Sequence, residues 1–223
     1  MKIERLELQS KHLTEQLKFY RDVLELEIPV YDETSFEVKV GYTSIKFTED
    51  NNATPYHIAF HIPDKQEEIA LTWTKGKVPI LRNNSDEIID FSNWSAKSFY
   101  FYDADKNIVE FIARRNLFKP ESSLFSEENI IGVAEIGLAT ENIEEKFLFL
   151  QKNCELEVYD GNFEKFSAIG DDEGLLITIN KELKDWFPTE DKAFASPFKI
   201  KFSHRGKQYY LKFENDKLTT YSA

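Results

Sequence analysis

The amino-acid sequence predicts an α+β fold in which repeated β-α-β-β-β modules form cupped mixed sheets, with the helices on the outer face. Three observations support this prediction. A strand followed by a helix recurs near residues 2–24, 56–73 and 131–150, further strand-like runs follow each start, and every opening strand has one apolar face. We expect a helix to cover that face and the opposite face to line a cup.

The first two modules follow each other directly. In the first, an alternating strand at residues 2–10 precedes a helix at 12–24 that has apolar residues at helical spacing. The second has a strand at 56–62, then a helix for which Asp64 and Glu67 form a capping pair. The strand-like runs that complete these modules lie at residues 36–40, 42–48, 77–81 and 98–115.

A polar connector at residues 116–129 separates a third module from the first two. Its strand at 131–140 leads to a helix with the capping pair Asn142 and Glu145, and three strand-like runs follow at 155–159, 164–169 and 175–180.

The fourth module has lost its strand-helix start. After the charged and aromatic loop 182–197, only a hairpin of residues 198–203 and 208–213 remains, which we expect to complete the sheet of the third module. The predicted organisation is a complete two-module domain that closes its own cup at residues 1–115, a linker at 116–129, and a second domain at 130–223 that is truncated in its last module.

The hairpin at residues 98–115 contains the most informative carboxylate. Glu110 lies in a strand that is apolar on both faces, where an unpaired ion costs several kcal/mol. If the turn closes symmetrically, Tyr100 faces Glu110 and Tyr102 faces Ile108. We therefore expect Glu110 to have a partner.

Composition excludes some classes of partner. The net charge of −12 repels phosphate backbones, so nucleic acid is not expected. The one cysteine, Cys154, can form no internal disulfide and no cysteine-based zinc site. The charged N-terminus and the lack of a long apolar run predict a cytoplasmic protein that does not bind membranes. A monomer and a homodimer both stay open.

Three stretches resemble the vicinal oxygen chelate superfamily, which includes glyoxalases, bleomycin-resistance proteins and extradiol dioxygenases: FYRDVL at 19–24, YHIAF at 56–60 and YFYDADKNIVEF at 100–111. The resemblance implies cups built from pairs of modules and a divalent metal held by His, Glu or Gln. The four implied ligand positions fall on Arg5, Lys46, His57 and Glu110. His57 and Glu110 are residue types that ligate metals, whereas Arg5 and Lys46 are permanent cations and donate no lone pair.

Three functions therefore stay open. In the first, the N-terminal cup binds a small anionic or oxygen-rich molecule beside a degenerate metal site, with Lys46 or Arg5 paired to Glu110 and no cofactor. In the second, His57 and Glu110 hold a divalent metal in a lyase or dioxygenase. In the third, side chains fill the cups of a structural or regulatory protein.

Other polar residues are weaker candidates for the ligand site. His61 shares the face of His57, and Tyr100 and Tyr102 are expected either to pack in the cup wall or to contact the ligand. Glu135 occupies the ligand-like position of the third module, where the truncation of the fourth module predicts a solvated carboxylate.

Overall fold

The structure is a computed structural model that describes residues 1–222, so Ala223 of the predicted second domain lies outside the described residues. The α+β fold with mixed sheets is confirmed. Its helices are α1 (Leu13–Lys18), which a π-helical turn (Phe19–Val23) continues, α2 (Glu67–Lys75) and α3 (Ile143–Cys154). The strands are β1 (Lys2–Ser10), β2 (Val30–Tyr31), β3 (Ser35–Val40), β4 (Thr43–Glu49), β5 (His57–Ile62), β6 (Ile80–Leu81), β7 (Ile89–Phe91), β8 (Ala96–Tyr102), β9 (Ile108–Arg114), β10 (Gly132–Thr140), β11 (Val158–Gly161), β12 (Phe166–Asp171), β13 (Gly174–Asn180), β14 (Phe198–His204), β15 (Lys207–Glu214) and β16 (Lys217–Thr220).

The strands form two sheets. The first sheet has the order β16-β15-β14-β1-β4-β3-β2, and the second has the order β11-β12-β13-β10-β5-β9-β8-β6 with β7 beside β8. In each of the three complete modules the opening strand runs parallel to the last strand: β1 to β4, β5 to β9 and β10 to β13. This repeated parallel pairing is the structural counterpart of the repeat seen in the sequence.

The modules pair differently from the expected cups. The opening strand β5 of the second module pairs antiparallel with β10 of the third, and β1 of the first module pairs antiparallel with β14. The expectation that residues 1–115 close a cup by themselves is therefore wrong, because their two modules lie in different sheets. The boundaries predicted for the domains and the linker stay a prediction.

The C-terminal hairpin forms as predicted, but it joins a different sheet from the one expected. Its strands β14 and β15 pair with each other, as expected. They extend the sheet of the first module rather than that of the third. Ile200 lies opposite Leu6, and both are fully buried in the main core, so burial of apolar side chains favours this edge.

One apolar core joins the two sheets and the helices. It includes Leu6 and Leu8 from β1, Ile58 and Phe60 from β5, and Ile136 from β10. Every residue of β5, β9 and β10 is buried, so polar side chains on these strands require compensation inside the protein.

The helix starts follow the predicted caps in one case out of two. The Asn142 side chain accepts a hydrogen bond of 3.0 Å from the Glu145 amide at the start of α3. At α2 the cap position is Gln66, whose side chain makes no capping bond. Asp64 instead accepts a bond of 3.0 Å from Arg115, and this ion pair removes it from the cap.

The turn between β8 and β9 connects the second module to the first. The buried Asp103 carboxylate accepts bonds from Gln16 Nε2 at 2.5 Å, from Asn107 Nδ2 at 2.7 Å and from the Tyr20 hydroxyl at 3.2 Å. Lys106 has φ of 64°, which lies in the left-handed region that glycine adopts without strain. The Asp103 bonds hold the turn against this strain.

Among the described helices, none is both long and apolar enough to cross a membrane.

We predict that Asp103→Ala lowers the free energy of unfolding by about 3 kcal/mol, because several buried donors lose their acceptor at once. Urea unfolding at pH 7 measures this change, with Asp22→Ala as a control because Asp22 is exposed and, among the described residues, its side chain bonds only to its neighbour Arg21. A loss below about 1 kcal/mol for Asp103→Ala would contradict the proposed role of the turn.

Candidate functional site

A cavity of about 250 Å³ opens on the concave face of the second sheet, between the second and third modules. Most of its apolar lining residues are aromatic, and the others are isoleucines. The aromatic lining residues are Phe91, Trp94, Tyr100, Phe166, Trp186 and Phe187. Four polar or charged side chains also line it: His57, Glu110, Glu135 and Lys184.

Three of these polar side chains converge in the cavity. His57 Nε2 lies 3.4 Å from Glu110 Oε2 and 3.8 Å from Glu135 Oε2. One potential ligand atom from each residue lies within 4.8 Å of the others, and the three residues are only 2–5% exposed. Each comes from a different strand: His57 from β5, Glu110 from β9 and Glu135 from β10. The antiparallel pairing of β5 with β10 therefore creates the cluster.

The local repeat leaves the fourth position of this site apolar. Glu110 pairs with Ala59, two residues after His57, and Ile177 pairs with Gly137, two residues after Glu135. Ile177 thus occupies in the third module the place that Glu110 has in the second. It lines the cavity but offers no ligand atom. The site contains three donors in place of four.

The two carboxyl groups differ in their electrostatics. Burial, and then the charge of Glu135, raise the pKa of Glu110 above its usual range. Burial also tends to raise the pKa of Glu135, but the nearby His57 imidazole and the charge of Arg114 outweigh it, so this pKa is lowered. The arrangement therefore favours a proton on Glu110 and a negative charge on Glu135.

Arg114 is the cation that compensates Glu135. Its Nη2 donates a bond of 2.7 Å to Glu135 Oε1, and its guanidinium lies 5.5 Å from the centre of the Trp94 ring and 5.7 Å from that of Tyr159. Arg114 is 3% exposed. Because its bond uses Oε1, the Oε2 atom of Glu135 stays directed at His57.

Tyr100 lies beside the cluster in the predicted register, opposite Glu110, and Tyr102 lies opposite Ile108. Burial, and then the charge of Glu110, raise the pKa of the Tyr100 phenol well above its usual value. Tyr100 therefore stays protonated, and its hydroxyl accepts a bond of 3.2 Å from Ser98 Oγ.

The structure thus brings together three of the residues predicted from the sequence: His57, Tyr100 and Glu110. It does not bring Arg5 and Lys46 to them, because both cations lie in the first sheet. Arg5 donates to both oxygens of Glu37, at 2.6 and 3.2 Å, and Lys46 lies between Glu7 and Glu37 in the strand register. The expectation that one of them pairs with Glu110 is therefore wrong.

His61 and Tyr102 also lie outside this cavity. His61 Nε2 is 3.1 Å from the carbonyl oxygen of Glu173, and burial lowers the pKa of His61 to about 4. The Tyr102 hydroxyl donates to the Asp191 carboxylate and lines a second cavity. Alternation correctly placed both on the faces of their strands, but those faces extend beyond the cavity.

Sequence reasoning missed three residues of the site. Glu135 is 2% exposed, so the prediction of a solvated carboxylate is wrong; its ligand-like position in the third module was the signal. Arg114 had no signal beyond its place at the end of an apolar strand. Trp186 comes from the connector between β13 and β14, and its ring centre lies 5.3 Å from that of His57. No periodic pattern marks a residue in such a connector.

Paired β-α-β-β-β modules with a buried histidine–carboxylate cluster between them define the class of protein. No family profile matches the chain. The metallothiol transferase FosB of Staphylococcus haemolyticus (strain JCSC1435) is 32% identical over 107 residues, which cover 44% of this chain and 73% of that protein. The protein of the same name from Staphylococcus epidermidis matches with the same identity and coverage. The chain belongs to the vicinal oxygen chelate superfamily.

Solved structures share the fold. A Bacillus subtilis protein, described provisionally as a dioxygenase, superposes with a TM-score of 0.58 at 18% identity over 80% of this chain, which spans 63% of that protein. Glyoxalase I from Zea mays superposes with a TM-score of 0.52 at 14% identity, over 79% of this chain and 66% of the maize chain. At these identities the likeness concerns the fold alone.

We predict that Glu110→Gln makes the metal-free protein more stable at pH 8 than the wild type, by on the order of 1 kcal/mol. A carboxyl group whose pKa is higher in the folded state binds a proton on folding. Its contribution to stability is therefore full below the unfolded pKa, about 4.3, and is lost as the pH rises through the folded pKa.

Urea unfolding from pH 4 to pH 8 in the presence of a chelator tests this prediction. Glu37→Gln is the matched control, because Arg5 lowers the pKa of Glu37 and its contribution is lost as the pH falls. Parallel stability curves for Glu110→Gln and the wild type would contradict the raised pKa of Glu110.

Proposed function

We propose that the cavity holds a divalent metal ion on His57, Glu110 and Glu135 and that the protein is a metal-dependent enzyme acting on a small oxygen-rich molecule. The observation that carries this proposal is the convergence of one imidazole nitrogen and two carboxylate oxygens in a buried cavity. The name of the relatives matched in sequence, metallothiol transferase, supports a metal-dependent transferase.

The donor set fits a divalent ion. Imidazole and carboxylate are ligands of zinc, manganese, iron and nickel. Donors that each lie about 2.1 Å from one ion are roughly 3.0–3.4 Å apart, close to the 3.4 and 3.8 Å that separate His57 Nε2 from the two carboxylate oxygens. Three protein donors, with Ile177 in the fourth place, leave coordination positions open for a substrate.

Neither of the two permanent cations at the implied ligand positions lies in the cluster. Arg5 and Lys46 lie in the other sheet, and the cation that does reach the cluster, Arg114, bonds to the Glu135 oxygen that faces away from His57. Two buried carboxyl groups that share one histidine are poorly compensated without a further positive charge, which a divalent ion supplies.

The side chains around the cluster would prepare a substrate for reaction. A bound divalent ion would act as a Lewis acid on oxygens of the substrate. The aromatic walls lower the polarity around the donors and so strengthen each electrostatic interaction inside the cavity. Tyr100, protonated and opposite Glu110, supplies a hydroxyl beside the donors.

Lys184 supports the anionic character predicted for the ligand. Among the described residues that line the cavity it is the only Lys or Arg, and its exposed side chain lies at the mouth, with Nζ 5.9 Å from the centre of the Phe166 ring. The acidic groups lie on the floor. A ligand with an anionic group at the mouth and oxygen donors at the floor matches this distribution of charge.

A second candidate is a metal-free binding protein. The bond between Arg114 and Glu135, and the approach of His57 Nε2 to the two carboxylates at 3.4 and 3.8 Å, compensate part of the cluster without an ion. His57 Nδ1 has no hydrogen-bond partner among the described residues, whereas a metal-ligating histidine usually donates from its second nitrogen. The following measurement separates the two candidates.

We predict that the chelator-treated protein binds one Co²⁺ ion and that His57→Ala, Glu110→Ala and Glu135→Ala each weaken this binding by at least about 100-fold. Isothermal titration calorimetry and the visible absorption of bound Co²⁺ measure it. His61→Ala is the matched control, because His61 lies on the same strand face but outside the cluster, and it should change the affinity by less than threefold. A wild-type protein that binds no Co²⁺ would instead support the metal-free candidate.

We also predict that Lys184→Glu weakens the binding of benzoate to the metal-free protein about fivefold and leaves the binding of phenol unchanged, because only benzoate carries a charge at pH 7. Ligand-observed NMR titration measures both. Lys152→Glu is the control, since it makes the same change of net charge on α3, away from the cavity lining. Equal losses for the two probes would show that Lys184 does not select for charge.

A further inference from the structure

Trp186 forms a wall between two cavities. It lines the cavity of about 250 Å³ that contains the His57 cluster, and it also lines a second cavity of about 400 Å³. Of the described residues that line the two, it is the only one they share. The second cavity also contains Tyr102, Ile108 and Phe194 in its walls.

The position of Trp186 depends on a glycine. A Cβ atom at Gly137 would lie 2.7 and 2.8 Å from two atoms of the Trp186 ring, which is closer than van der Waals contact allows. Gly137 is therefore the residue on β10 that lets the indole approach the sheet this closely, next to His57. The ring is 7% exposed.

Hydrogen bonds at Trp186 and after it hold the connector that carries this residue. The Trp186 amide donates a bond of 2.8 Å to the carbonyl oxygen of Asp191, whose carboxylate accepts from the Tyr102 hydroxyl. Further along, Ser196 Oγ donates a bond of 2.8 Å to the carbonyl oxygen of Pro55. These bonds hold the indole in place as a fixed wall.

The size of the first cavity indicates the ligand that it accepts. An apolar cavity of about 150 Å³ holds benzene, so 250 Å³ accommodates about one ring with a few substituent atoms. The aromatic walls favour a flat ligand. A ligand with two fused rings would meet Trp186, and beyond the indole the second cavity offers the space that it needs.

We propose that Trp186, seated on Gly137, is the specificity-determining residue of this site: it restricts the ligand to a flat molecule of about one ring, and its removal joins the two cavities into one longer binding site. This inference rests on the proposed function in taking the first cavity as the ligand site. It does not depend on the metal, and its test therefore uses the metal-free protein.

The test compares phenol with 2-naphthol, two neutral probes that differ by one fused ring. We expect Trp186→Ala to raise the ratio of the 2-naphthol affinity to the phenol affinity at least tenfold over the wild-type ratio, as measured by NMR titration. Using the ratio removes the general preference of proteins for the more apolar probe. Trp186→Phe, which keeps a ring against Gly137, should change the ratio less than threefold.

Phe194 provides the matched control, because it lines the second cavity and not the first. Phe194→Ala should leave both affinities unchanged in the wild-type background. In the Trp186→Ala background it should remove at least threefold of the gained 2-naphthol affinity, a coupling that general loosening of the fold does not produce. If circular dichroism shows that Trp186→Ala does not fold, Trp186→Leu takes its place. We expect Trp186→Leu to raise the ratio of the 2-naphthol affinity to the phenol affinity at least threefold.

An unchanged affinity ratio in a folded Trp186→Ala or Trp186→Leu variant overturns the inference, as does a Phe194→Ala effect that is the same in both backgrounds. Co²⁺ binding by these variants separates this failure from a failure of the proposed function. Retained Co²⁺ binding with an unchanged ratio rejects only the role of Trp186, whereas a wild-type protein that binds neither Co²⁺ nor phenol rejects the site itself.

Discussion

The antiparallel pairing of β5 with β10 is the interaction on which the candidate site depends. It places Glu135 opposite Ala59, next to His57 on the same concave face, although 78 positions of sequence separate the histidine from the glutamate. The register shifts between Val133 and Glu135, so a bulge sets the height at which the carboxylate enters the cavity. A slip of one residue in the register would turn the Glu135 side chain to the opposite, apolar face of the sheet.

This pairing also creates an electrostatic problem that the surrounding residues solve unequally. Two carboxyl groups are buried beside one imidazole, and of the two Arg114 compensates only Glu135. Glu110 is left with a raised pKa and with Tyr100 beside it. Buried polar groups without full compensation destabilise a fold, and they are common where a ligand or ion completes the site.

The same module carries different side chains in the two sheets. In the first sheet, the concave face carries paired ions: Arg5 with Glu37, and Lys199 with Glu7. In the second sheet, the corresponding face carries the histidine–carboxylate cluster and an aromatic cavity. The connector between β13 and β14 then crosses from the second sheet to the first and supplies Trp186 to the cavity on its way.

The sequence by itself determined the repeated module, the elements in it and the face on which each side chain lies, because these follow from local periodicity and from short turns. The hairpin pattern predicted the register that places Tyr100 opposite Glu110, whereas the grouping of His57 with Glu110 followed from the resemblance of its motifs to a known superfamily. Only the tertiary structure decided which modules share a sheet. All the opening strands present similar apolar faces and similar edges, so local patterns do not distinguish β10 from β1 as the partner of β5. That choice separated Arg5 and Lys46 from the site and brought Glu135 and Trp186 into it.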